Sequence, residues 1–402
     1  MTITRRCVAG LGAGAIAAGF VCRAAAQGKP VRIGVLGDES NITADAGGPG
    51  TLLAVKLAVA DFGNQVGGRP IEVISADMLL KPDVAAQIAA KWLDVDGVDV
   101  IMDLPLTSAA LAVVEVARPR QKMTIITSAA SADLTGRACS PTSIHWTDDT
   151  FALANSTGRA VVEAGGRSWF FLTADYTFGA AMQRDVTAAV LGAGGTVLGA
   201  VKHPMGNTDF SSLLLQASNS GAQVIGLASV GGDTITAIKQ AAEFGLARSG
   251  HQLAGLLVFI TDIHAIGLAS AQGLYVSSGF YWDQNEASRA FAARFFAERK
   301  AMPTKSQAAA YASTLHWLRA VQATGMTNAL PVAEHMRRSP GDFFGRPVKI
   351  RRDGRALYDM TLYQVKTPAE STGPWDYYKP LRTVAAATAF RPEGDGECRI
   401  AP

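Results

Sequence analysis

Beyond its first stretch, this 402-residue chain lacks an excess of either charge. Of its 37 lysines and arginines, Arg5, Arg6 and Arg23 fall in the first 26 residues, which hold no acid, so from residue 27 on 34 bases face 34 acids. A neutral body without a basic run offers a polyanion nothing to grip, which argues against nucleic acid as a partner. Histidine is sparse: His145, His203, His251, His264, His316 and His335 are scattered, and no His-x-x-x-His or Cys-x-x-Cys spacing suggests a metal. There is no Gly-x-x-x-x-Gly-Lys phosphate loop. The nearest approach to a nucleophile elbow, Leu227-Ala228-Ser229-Val230-Gly231, lacks its first glycine. Nothing argues for an enzyme, and the reading calls for no metal and no cofactor. Charged residues make up only 18% and apolar residues 48%, which excludes disorder as the main state. At roughly 100–200 residues per domain, the length allows two or three domains.

What is present begins with an address. Arg5-Arg6, an apolar stretch from Val8 to Val21 and Ala24-Ala25-Ala26 before Gln27 have the order of an export signal, with cleavage expected after Ala26. The paired arginines leave twin-arginine and general export both open. Cys22 follows Val21 rather than a small residue, which argues against a lipid anchor. Gly10-Leu11-Gly12-Ala13-Gly14 mimics a dinucleotide loop, but no strand precedes it. No later stretch has the roughly 18 uninterrupted apolar residues of a membrane helix.

Cysteine is rarer still. Once the leader is gone only Cys139 and Cys398 remain of four, and two lone cysteines in an oxidising compartment usually pair. A bridge between them is expected to pin the carboxyl-terminal tail, with two separate buried thiols as the alternative.

From residue 31, short apolar runs alternate with amphipathic stretches. Strands are expected at Val31 to Leu36, Ile71 to Ser75, Val98 to Met102 and Met123 to Thr127, then at Trp169 to Thr173, Thr196 to Ala200, Val224 to Ala228 and Leu256 to Ile260. Helices lie between; the first opens at Gly47-Gly48-Pro49 and turns Leu52, Val55, Val59 and Phe62 to one side. Two such series predict an α/β protein of two doubly wound parallel-sheet lobes. A third segment adds a strand over Gly273 to Phe280, helices over Glu286 to Lys300 and Lys305 to Thr324, and β-rich runs at Arg346 to Ile350 and Tyr358 to Val365 around the turn Arg352-Asp353-Gly354.

Parallel sheets bind ligands beyond the carboxyl ends of their strands, where helices present unpaired N–H groups. In those places stand Asp45, Asp103, Thr107, Ser108, Ser131, Asp175, Tyr176, Phe178 and Asp262. Thr107, Ser108 and Asp175 serve equally well as helix caps, and Asp103 could bind its own turn. Tyr176 and Phe178 are two apart, so one is expected to face the ligand, with Tyr176 favoured.

In this order, Asp45-Ala46-Gly47-Gly48-Pro49-Gly50, Ala129-Ala130-Ser131-Ala132-Asp133-Leu134-Thr135-Gly136, Ala174-Asp175-Tyr176-Thr177-Phe178-Gly179 and Phe280-Tyr281-Trp282-Asp283 resemble the periplasmic substrate-binding proteins of ABC transporters, of the leucine/isoleucine/valine-binding type. The resemblance implies the type I periplasmic binding fold: two lobes, residues 27–148 with 276–355 and 149–275 with 356–402, joined by three hinge crossings. It further implies a monomer that closes on a small organic carboxylate or amino acid and delivers it to a membrane permease. Thr107 or Ser108, with Ala129 and Ser131, would hold the carboxylate, Leu106 standing where amino-acid binders carry a hydroxyl. Asp262 would pair with an ammonium group, and Asp45 and Asp103 would serve another donor. Tyr281 and Trp282 would line the cleft, with a structural role at the hinge as the alternative for Trp282. A sensor of the same fold and a secreted enzyme using the cleft are the alternatives.

Overall fold

A computed structural model describes residues 28–400. The expected leader and its cleavage point lie outside the described residues. The first lobe is built on a sheet ordered Gln65–Val66, Arg69–Asp77, Val31–Gly37, Val100–Asp103, Met123–Ile126 and Ser143–His145. Its long strands run parallel, with Val31 opposite Ile71 and Leu36 opposite Asp103. Parallel strands are covered by helices on both faces, which is why Val31, Ile33, Val35 and Leu36 are all buried. The second lobe repeats the plan in the order Gln252–Gly255, Val224–Ala228, Ser168–Ala174, Thr196–His203. This is the type I periplasmic binding fold, an α/β architecture of two parallel-sheet lobes.

The third segment divides between the lobes. Lys305–Thr324 packs along Gly48–Phe62 in the first lobe. Tyr275–Ser278, Met360–Val365 and Tyr378–Val384 form an antiparallel sheet that shares the second lobe's core through Val276, Tyr363 and Val365. The structure departs from the expected division in three places. Tyr275–Ser278 belongs with the second lobe, because its edge is paired to Met360–Val365. Ala356–Leu357 pairs instead with Pro347–Ile350, and the tail beyond Ala386 returns to the first lobe, where Arg391 donates to the Ala132 carbonyl at 2.9 Å.

The strand expected at Leu256 to Ile260 lies four residues earlier, at Gln252–Gly255, hydrogen-bonded to Val224–Ala228. Leu256 to Phe259 is apolar for another reason: it is a buried loop at the interlobe gap. Among the described residues, no helix is long and apolar enough to cross a membrane, and no group of three or more His, Cys, Asp or Glu side chains could hold a metal.

Cys139 and Cys398 are disulfide-bonded, closing a sequence separation of 259 residues. A bridge that ties such a loop restricts the unfolded chain. Reduction is therefore expected to cost about 5 kcal/mol, measured as a lower urea midpoint with dithiothreitol. Thiol titration of the denatured, unreduced protein should find no free sulfhydryl in residues 28–400.

Candidate functional site

The carboxyl ends of both sheets face one gap, a narrow cleft between the lobes. Thr43, Gly47, Leu106, Thr107, Ser128, Ala130 and Ser306 line it from the first lobe, and Tyr176, Phe178, Met205, Val230, Leu257 and Phe259 from the second. No aspartate, glutamate, lysine, arginine or histidine is among the lining residues. The walls are apolar, with a few hydroxyls.

Four helices begin at this gap, and none has a side-chain cap. Gly48–Phe62 starts behind Gly47, Thr107–Ala117 behind Leu106, Thr177–Gly192 behind Tyr176 and Gly232–Glu243 behind Gly231. By contrast Thr304, just outside the cleft, caps Lys305–Thr324 through the Gln307 N–H at 3.3 Å. Glycine, leucine and tyrosine at the cap position leave first-turn N–H groups and positive dipole ends without a side-chain partner at the cleft, although the Gly232 N–H is taken by the Ile42 carbonyl. The Thr107 hydroxyl is buried and likewise without a partner. Burial and the charge of Asp233 raise the Tyr176 phenol, which stays a neutral donor.

Of the expected site residues, Thr107, Tyr176 and Phe178 meet at the cleft. Both rings turn in rather than one, their centroids 6.2 Å apart. The others stand elsewhere. Ser108 is half-buried on the first turn of its helix, off the cleft. Ala129 accepts from His145 at 2.7 Å through its carbonyl, and Ser131 caps the turn Ala132–Thr135, so Ser128 and Ala130 present themselves in their place. Asp45 is exposed at the rim, 3.6 Å from Arg299. Asp103 is buried behind Ser128.

Asp262 folds back onto its own helix and accepts from the Phe259 N–H at 2.9 Å, a local cap rather than a ligand group. Tyr281 and Trp282 both donate to the Trp375 carbonyl, at 3.2 and 2.8 Å, away from the cleft. Thr43, Leu257, Phe259 and Ser306 carried no sequence signal: they reach the cleft from loops and from a helix start supplied by the third segment.

The lobes touch across the mouth. The Gly232 N–H donates to the Ile42 carbonyl at 3.3 Å, and Arg184 lies 3.4 Å from Asp133. Behind the cleft two buried ion pairs knit the crossings together: Lys305 with Asp148, and Arg355 with Asp149 at 3.3 Å.

Comparison with known proteins agrees with this geometry. A family model described as periplasmic binding protein matches residues 30–373. Leu/Ile/Val-binding protein homolog 6 from Brucella melitensis is 26% identical over 257 residues, 63% of this chain; the match spans 65% of the relative's length, just under two thirds. A periplasmic binding protein from Burkholderia mallei is 45% identical, with TM-score 0.90 over 92% of this chain and 98% of that one. A branched chain amino acid ABC transporter periplasmic ligand-binding protein from Burkholderia xenovorans LB400 is 36% identical, with TM-score 0.82 over 92% and 99% of the two chains. With the fold, the open strand ends and the family match in agreement, the chain belongs to the periplasmic binding protein family.

Proposed function

We propose that this protein is an exported solute receptor, its leader cleaved after Ala26, which closes as a monomer on a small organic carboxylate and hands it to an ABC permease without transforming it. One observation carries the ligand class: the cleft offers uncapped helix starts and hydroxyls, and no charged side chain. An anionic head is satisfied by N–H groups and dipoles. An ammonium group would be buried without a counter-ion, which is costly. The names of relatives point to branched-chain amino acids, and the apolar walls suit such a body, but Asp262 is spent on its own helix. The reading therefore favours branched or aromatic acids without an amine. A Rhodopseudomonas palustris protein of the same fold is described in complex with benzoate.

Binding energy drives closure only through contacts absent from the open form. A thermal-shift screen tests the reading: benzoate and 4-methyl-2-oxopentanoate are expected to stabilise the protein, by about 2.7 kcal/mol at a hundred times the dissociation constant, and leucine is not. The reverse order would overturn the ligand class. Tyr176→Ala is expected to weaken the bound acid by about tenfold or more while the melting temperature of the free protein changes little.

A further inference from the structure

Asp103 ends its strand with φ 84°, and Leu104 follows at 61°. Sheet bonds hold this turn: the Thr127 and Ser128 N–H groups donate to the Asp103 carbonyl at 3.1 and 3.3 Å, and the Leu104 N–H donates to Leu36 at 3.0 Å. The side chain is fully buried. Glycines leave the room it fills: a Cβ on Gly37 would lie 2.8 Å from Oδ2, and one on Gly47 3.4 Å from Oδ1. Oδ1 is hydrogen-bonded to the hydroxyl of Ser128, and that serine lines the cleft. Oδ2 has no partner.

A buried carboxylate oxygen without a donor is costly, whereas a carboxylic acid is not. Two hydroxyls facing Asp103 favour its anion, but burial outweighs them. The loop after the first strand brings Asp38, whose oxygens accept from Asn41 and Thr43 and which adds negative charge. Helix Gly48–Phe62 brings the Thr51 hydroxyl, and the loop after Met123–Ile126 brings Ser128. Among the described residues, no lysine, arginine or histidine is bonded to it. Burial pushes its carboxyl up to about 7.

We propose that Asp103 is a positioning residue that sets which way the Ser128 hydroxyl faces. Holding a proton, it donates to Ser128 Oγ and frees the serine hydrogen for a ligand carboxylate. Ionised, it takes that hydrogen and shows the cleft a lone pair. Above neutral pH, carboxylate binding then draws one proton from water onto Asp103. This inference rests on the carboxylate reading of the cleft.

The experiment is calorimetric titration of the full mature chain with benzoate and with 4-methyl-2-oxopentanoate, in buffers of different protonation enthalpy. The wild type is expected to take up close to one proton and to lose affinity by up to about tenfold per pH unit above about pH 7. Asp103→Asn, nearly isosteric and permanently neutral, is expected to bind with a flat profile. Ser128→Ala is expected to bind more weakly and also flatly, because the coupling runs through the hydroxyl. A Ser128→Ala profile as steep as wild type overturns the proposal in favour of plain charge repulsion, and an unchanged slope in Asp103→Asn overturns it outright. Wild-type binding with no pH dependence sinks this inference alone; no binding of either acid at any pH sinks the carboxylate reading with it.

Discussion

Replacing Gly231 with alanine is expected to prevent closure while leaving both lobes folded. Gly231 sits at φ 59°, where the second lobe meets the rim of the first, and an added Cβ would lie 2.0 Å from the Ile42 carbonyl oxygen. Both groups are backbone, so no rotamer change relieves the overlap. The adjoining Gly232 N–H bond to Ile42 would be lost with it. In the open form the cost of a non-glycine residue at φ 59°, ψ −132° remains, about 1–3 kcal/mol. The closed form carries several kcal/mol more, which at about 1.4 kcal/mol per tenfold predicts at least a hundredfold weaker binding. Small-angle scattering should show the radius of gyration of Gly231→Ala unmoved by an acid that compacts the wild type. Gly232→Ala is the control: its Cβ would be 3.4 Å from Ile42 Cγ2, an ordinary contact, so it should close normally. Compaction of Gly231→Ala on ligand would show that closure does not bring Ile42 and Gly231 together.

The two-lobed α/β plan was legible because buried parallel strands such as Val31–Gly37 and Val224–Ala228 read as largely apolar runs. That signal failed at Gln252–Gly255. An edge strand is half-exposed and only weakly apolar, while the loop after it, Leu256 to Phe259, is buried at the cleft and imitates a strand. Tyr378–Val384 escaped for the same reason, its middle being exposed. The tail's return to the first lobe depends on contacts far apart in sequence, Arg391 to Ala132 among them.

Which polar residues face the cleft was less legible than where the cleft is. Strand ends located it, yet two neighbours in one loop point opposite ways: Ser128 faces the gap while Ser131 caps its own turn. Asp262 shows the limit most clearly. An acid beyond a strand end reads the same whether it awaits an ammonium group or satisfies an N–H three residues back, and only the bond to Phe259 separates the two. The missing caps at Leu106 and Tyr176 were in plain view and carry more of the ligand argument than any single side chain.

That distinction has a large consequence for stability. Burial raises the Asp262 carboxyl from 3.8 to about 7, with Asp45 adding to the rise and the Phe259 N–H and Lys305 opposing it. A group whose value rises on folding contributes its full stability below the unfolded value and loses it as pH climbs through the folded one. The window here runs from about pH 4 to about pH 7, in the direction opposite to that of a salt-bridged aspartate. At about 1.4 kcal/mol per pH unit, Asp262 costs the folded state about 4 kcal/mol once it is forced to ionise. Asp262→Asn keeps an oxygen to accept from Phe259 and has no charge to bury. Relative to wild type, its unfolding free energy is expected to swing by about 4 kcal/mol in the variant's favour between about pH 4 and about pH 8, read from urea melts at each pH. A difference that stays constant across that range would mean Asp262 is already ionised in the folded protein, held by a cation, and would return it to the role of ammonium partner.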